Sequence, residues 1–493
     1  MISAHLHAQR LAETTGRADL LSEKALDSLL VMFLAGGGDS RIVIGPDGRN
    51  PYGAPARPPQ REIWFASCTA SPISARGWRA ASSALPRAFD AAGAENWFDS
   101  LRGRLLALLA PPGAGAALCA SGAQAEFAAL VLARALDGAL ARPVVNILVG
   151  RDETGRGSPL AASGKHFLDT APFGPAARGE RITGWEAGDI SLETIDLRDS
   201  GGAPIPPEEV EAQAEKVVEA ALARGARVLL HVMDCSKTGL AGPSRDFAAQ
   251  MRARAPDDVC VVVDACQLRC APAQIRADLE AGFLVMVTGS KFAGGPAFSG
   301  ALLIPPIIMA ALDSHRAIDW PAGLAAHCAC LDWPAALRTK MRGPFGALSN
   351  PGLGLRWEAA LAELEPFCAL DPALPALARK NFAAEARRLA ALAGAITDRE
   401  DEGGTGILTL FGQTRDNAYA DAGAVAQRLR RRGFFLGQKV ALGGADALRL
   451  CLSAPQIVDF SARCASGGVE EGLAPLLGDL RRLFAAWRAC LAS

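Results

Sequence analysis

Four stretches of the chain, PVVNILVG, ARVLLHVMD, DVCVVVDAC and FLVMVTGS, are apolar or nearly so along their whole length. A strand with one face in water alternates apolar and polar residues, so a run without alternation has both faces covered. Longer segments with apolar residues at helical spacing lie between them, among them AQAEFAALVLARAL and EEVEAQAEKVVEAALARG. Strands buried on both faces and separated by helices specify an α/β fold, a mostly parallel sheet flanked by helices. This pattern runs from about Pro111 to Pro305.

The texture changes on either side of that core. Beyond Leu355 the helices ARKNFAAEARRLAALAGA and AGAVAQRLRRRG are interleaved with the short strands GILTLFG and ALRLCLSA, which predicts a smaller C-terminal α/β domain. The division expected is an N-terminal extension over 1–100, a large domain over 101–345 and a small domain over 346–493. In the extension, GRNPYG and FASCTASPISARGW are polar islands that either line a pocket or pack on the surface.

With 51 basic and 52 acidic residues the formal charge is −1, so nothing global points to nucleic acid or a membrane surface as partner. The most apolar part of the N-terminus, SLLVMFLA, is too short to span a bilayer, and a cytoplasmic address is expected. Twelve scattered cysteines in apolar contexts read as reduced thiols. The cluster HCAC, His327 to Cys330, lacks a second ligand pair and reads as structural, with no metal expected.

In an open parallel sheet, ligands bind outside the carboxyl ends of the strands. Asp264 ends one apolar run and Lys291 follows another. Such a pair is either a buried ion pair or an acid and amine held for chemistry. Ser121, Gly122 and Ala123 stand just before a helical segment, where free N–H groups and the positive helix end suit a phosphate. Thr288 and Ser290 add hydroxyls beside the lysine. Lysine, carboxylate and phosphate cup together are what a pyridoxal 5′-phosphate enzyme requires.

HVMDCSKTGLAGPS, VVVDACQ, VTGSK and the following SGALLIP, in that order, resemble the class V aminotransferases, a family of fold-type I pyridoxal phosphate enzymes. That family includes alanine–glyoxylate aminotransferases, cysteine desulfurases and kynureninases. The likeness runs from about Ser121 to Pro305 and continues more weakly to about Pro455. It implies Lys291 as the Schiff-base lysine and Asp264 as the acid on the ring nitrogen. It implies the phosphate loop on Ser121, Gly122 and Ala123, with Thr288 and Ser290 as the polar pair before the lysine. Gln267 is similar to the glutamine that bonds the ring oxygen in desulfurase-like members, a strand-end cap being the plain alternative. Ser236 and Thr238 fall on the family's S-x-T-G element beneath the cofactor. For the residue stacking on the ring, Thr154 and His166 are the candidates after PVVNILVG.

The resemblance also implies that Arg449, near the start of the strand in DALRLCLSAP, clamps the substrate carboxylate, against a structural ion pair. Ser349 and Asn350 lie in a segment similar to the one that reaches the partner's phosphate, so a homodimer with shared sites is expected. The substrate expected is an α-amino acid, a small molecule, whose side chain the sequence leaves open. Transamination is the expected reaction. A kynureninase-like β-lyase or C–S lyase is the alternative, and a non-catalytic binding protein the remote one. A desulfurase fits least, because GFFLGQKVALGGA, before the Arg449 strand, contains no cysteine.

Overall fold

The computed structural model describes residues 23–138, 142–397, 404–414 and 418–491, so the first 22 residues of the expected N-terminal extension lie outside the description. The strands used below are β1 (Ile63–Phe65), β2 (Gly115–Cys119), β3 (Val144–Val149), β4 (Ile190–Ile195), β5 (Arg227–Met233), β6 (Val259–Ala265), β7 (Leu284–Thr288), β8 (Gly300–Ile304), β9 (Ala395–Thr397), β10 (Ile407–Gly412), β11 (Phe434–Leu442) and β12 (Ala445–Cys451). A seven-stranded sheet runs in the order β2-β8-β7-β6-β5-β3-β4. Only β8 is antiparallel to its neighbours. Every residue of β3, β5, β6 and β7 is buried, which is why their sequences show no alternation. At the edge, β4 buries Ile190 and Ile195 and exposes Ser191 and Thr194.

The second sheet has the order β1-β11-β12-β10-β9. Its edge strand β1 comes from the N-terminal region and pairs in parallel with β11, Ile63 opposite Phe434. The first hundred residues therefore build part of the C-terminal sheet.

Five helical segments position the site: α1 (Glu23–Leu34), α2 (Ala75–Ala84), α3 (Gly122–Ala135), α4 (Pro351–Cys368) and α5 (Ala454–Leu491), the last broken at Gly468. Helix α3 is buried along almost its whole length beneath the large sheet. Arg356 of α4 is fully buried, and its guanidinium donates to the carbonyls of Phe298, Phe33, Leu34, Gly36 and Gly37. Burial pushes its pKa down to about 9, against the pull of Asp332 and Asp39. This one side chain ties the end of α1 to the Phe298 turn. Among the described residues no helix is long and apolar enough to cross a membrane, and no disulfide is recorded between cysteines.

Candidate active site

A cavity of about 1490 Å³ opens at the carboxyl ends of the parallel strands, and both Asp264 and Lys291 line it. Asp264 lies on β6 opposite Met233 of β5 and Met286 of β7. It is 8% exposed, its Oδ1 accepts the Cys266 N–H at 3.0 Å, and the Thr154 hydroxyl lies 3.5 Å from Oδ2. The turn carrying Lys291 follows β7 and is gripped through its backbone. Ser71 donates from Oγ to the Lys291 carbonyl (2.8 Å) and from N–H to that of Ser290 (3.1 Å), and the Ala454 N–H reaches the Phe292 carbonyl. A Cβ on Gly289 would stand 2.6 Å from Cβ of Ala360 in α4, so only glycine lets the turn lie against that helix.

Ser121, Gly122 and Ala123 line the same cavity at the N-terminus of α3. The Ser121 Oγ is buried without a hydrogen-bond partner, and the first N–H groups of a helix lie outside its own ladder. A Cβ on Gly122 would come within 2.8 Å of Cys266 Sγ, so the glycine allows this helix end to approach the β6 turn. Ser290 and Thr288 also line the cavity, but the Thr288 hydroxyl donates to the Cys266 carbonyl at 2.7 Å. Ser349 and Asn350 do not line the cavity within one chain. Asn350 instead caps α4 through the Leu353 N–H and donates to the Gly37 carbonyl.

Two groups beneath Asp264 escaped the sequence reading. Glu126, one turn along α3 from Gly122, lines the cavity at 2% exposure, with Oε2 3.4 Å from Nε2 of His231 on β5. Burial raises the Glu126 pKa well above the carboxylate range, and Asp264 adds to the rise. Burial pushes His231 down to about 4, with Asp264 opposing. Gln267 donates from Nε2 to the Cys68 carbonyl (3.0 Å), and its Oε1 is buried without a partner.

The turn holding Ser236 and Thr238 is organised by another residue missing from the sequence reading. Glu153 accepts from the Ser236 Oγ (2.8 Å), the Thr238 Oγ1 (2.6 Å) and the Arg198 Nε (2.7 Å). Burial acts to raise its pKa, but the bonds from Thr238 and Arg198 outweigh that and hold it below the usual value. The signal available in the sequence was position, since Glu153 comes just after the end of an apolar strand. Thr154, beside it, lines the cavity. His166 does not: its Nδ1 lies 3.0 Å from Nε2 of His327, and the two rings stack. His166 is thus paired with His327 outside the cavity lining, whereas Thr154 is part of it.

Arg449 lines the cavity from β12 at 4% exposure. It donates from Nε to the Gln438 carbonyl (2.9 Å), from Nη1 to the Lys237 carbonyl (3.2 Å) and from Nη2 to the Thr69 hydroxyl (2.8 Å). Among the described residues no carboxylate forms an ion pair with it. Both polar islands of the N-terminal region reach the cavity, through Pro51 and Tyr52 and through Cys68, Thr69 and Ala70.

No protein-family model and no curated protein sequence matches the chain. Solved structures do. A NifS-like protein is 12% identical with a TM-score of 0.52, over 86% of this chain and 99% of that one. The ureidoglycine–glyoxylate aminotransferase of Bacillus subtilis is 12% identical with a TM-score of 0.52, over 88% and 98%. A transaminase from directed evolution by ancestral reconstruction is 12% identical with a TM-score of 0.50, over 92% of each chain. The fold is that of the fold-type I pyridoxal phosphate enzymes. At this identity the likeness carries the fold-type I architecture and not an activity.

Proposed function

We propose that the protein is a pyridoxal 5′-phosphate-dependent enzyme acting on an α-amino acid, with transamination as its reaction and a homodimer as its active form. The observation that carries the reading is the convergence of Lys291, Asp264 and the N-terminus of α3 on one cavity at the strand ends. The residues present fit the cofactor. The buried Ser121 Oγ and Gln267 Oε1 lack protein partners, which suits a polar ligand filling the space between them. Ser121, Gly122, Ala123 and Ser290 would hold the phosphate, Asp264 the ring nitrogen, and Gln267, Ser236 and Thr238 would line the ring. Bound pyridoxal phosphate supplies an aldehyde and an electron-withdrawing ring.

Around it, Lys291 would hold the aldehyde end by its amine and would carry the proton of the substrate Cα. Asp264 would keep the ring nitrogen protonated, and Arg449 would orient the amino acid by its carboxylate. Transamination needs no catalytic group beyond these. The cysteine-free stretch before β12 forms β11, and two of the three cavity-wall thiols, Cys68 and Cys266, are pushed up by burial.

Purified protein supplied with pyridoxal phosphate is expected to gain a near-visible absorbance band that changes on adding α-amino acids. Protein that stays colourless would end the proposal. Asp264→Asn is expected to keep the cofactor and lose turnover by about 100-fold or more, because an unprotonated ring withdraws electrons poorly. Unchanged turnover would mean that another group serves the ring nitrogen. For the homodimer, the segment around Ser349 is proposed to meet the partner's phosphate. Sedimentation is expected to give twice the 51.3 kDa chain mass, and an active monomer would refute it.

A further inference from the structure

Lys237 is held at its root and, among the described residues, forms no ion pair at its tip. Its N–H donates to the Glu153 carbonyl (3.2 Å) and its carbonyl accepts from Arg449 (3.2 Å), while the neighbouring Ser236 and Thr238 hydroxyls are bound to the Glu153 carboxylate. The ammonium has one long contact, 3.4 Å to the Thr154 carbonyl, and forms no ion pair among the described residues. The acids nearby are engaged or face solvent. Glu153 is taken by Arg198 and two hydroxyls, and Asp152 is 92% exposed beside Arg151. The chain uses only eight lysines among its 51 basic residues, yet Lys237 lines the cavity together with Lys291 and Lys439, of which Lys439 is paired with Asp446.

Position gives this charge a use. Lys237 lies between Arg449, bonded to its carbonyl, and Thr154, whose hydroxyl approaches Asp264. A substrate with its carboxylate on Arg449 and its Cα near Lys291 would pass its side chain along this wall. Burial lowers the Lys237 pKa, Glu153 opposes and Arg449 adds to the lowering, so an incoming anion would relieve both the desolvation and the repulsion. We propose that the substrate is an α-amino acid whose side chain ends in an anion, a carboxylate, sulfonate or phosphate, and that Lys237 is the residue that selects it. Arg156, exposed on the same wall, adds positive potential at the mouth.

This proposal rests on the pyridoxal phosphate reading, and its test separates the two. Reconstituted protein would be titrated, reading absorbance, with L-aspartate, L-glutamate, L-cysteate and O-phospho-L-serine. L-asparagine, L-glutamine, L-serine and L-alanine are the neutral counterparts. At least one anionic member should reach half-saturation at about 10- to 100-fold lower concentration than its neutral counterpart, the worth of one hydrogen bond to a charged group. Which anion does so identifies the group. Lys237→Met should remove that preference and Lys237→Arg should restore part of it, with the cofactor band unchanged in both. Wild-type protein that binds the cofactor but prefers neutral side chains overturns the assignment. So does a Lys237→Met protein that keeps the preference, or one whose cofactor band is altered. Failure of the wild type to take up pyridoxal phosphate overturns the functional reading, and this proposal with it.

Discussion

Lys291→Ala is expected to abolish the near-visible band of the reconstituted protein and to lower turnover by about 100- to 10,000-fold, the range of a positioned acid–base group. The backbone of the Lys291 turn is held independently of the side chain, by Ser71 on one side and by Ala454 through Phe292 on the other. The variant should therefore fold, and its melting temperature should stay close to that of the wild type. Cofactor should still bind, because Ser121, Gly122 and Ala123 keep their geometry, but it should dialyse away where wild-type cofactor does not. Stopped turnover with an unchanged band would separate catalysis from attachment and point to another amine. Lys237 and Lys439, the other lysines of the cavity wall, are the residues to replace next.

The central sheet and its ligand edge were legible because they rest on patterns that burial imposes. Four runs without alternation could only be strands covered on both faces, and the polar residues at their ends had to lie at the ligand edge. The remaining strands carry weaker marks. The segment forming β2, GAALC, is short and built of small residues, and β4 alternates because it lies at the edge. β11 mixes glycine, glutamine and lysine with apolar residues and has an irregular register between Gly437 and Val440, so its sequence carries no clean strand pattern. β1 is three residues long and has meaning only against β11.

Within the cavity lining, residues belonging to a local motif stand out in the sequence and those brought there by long-range contact do not. Glu126 lies in the middle of a helix whose sequence suggests only core packing, and it reaches the cavity because α3 runs beneath the sheet. Thr69 meets Arg449 across 380 residues. Conversely, His166 had the right place in the sequence, but its neighbour in space is His327, and no local pattern reveals that pairing.

Arg449→Ala is expected to cost about 2–5 kcal/mol of transition-state stabilisation, or about 30-fold to several thousand-fold in kcat/KM, while cofactor binding survives. A nearly buried guanidinium is costly to keep when, among the described residues, no carboxylate pairs with it, and its neutral partners there leave the positive charge for a ligand. The same bonds complicate a loss of rate, because they join β11, the Thr69 segment and the Lys237 turn, and alanine would loosen all three. Discrimination resolves this. If the guanidinium holds the substrate carboxylate, wild-type protein should change its spectrum with amino acids and much less with the corresponding decarboxylated amines, and Arg449→Ala should respond to both alike. Arg449→Lys keeps the charge but not the two-pronged geometry, and should recover only part of the preference. A purely structural arginine would lower the response to both ligand classes in proportion and leave their ratio unchanged. Equal wild-type responses to amino acids and amines would move the substrate away from α-amino acids.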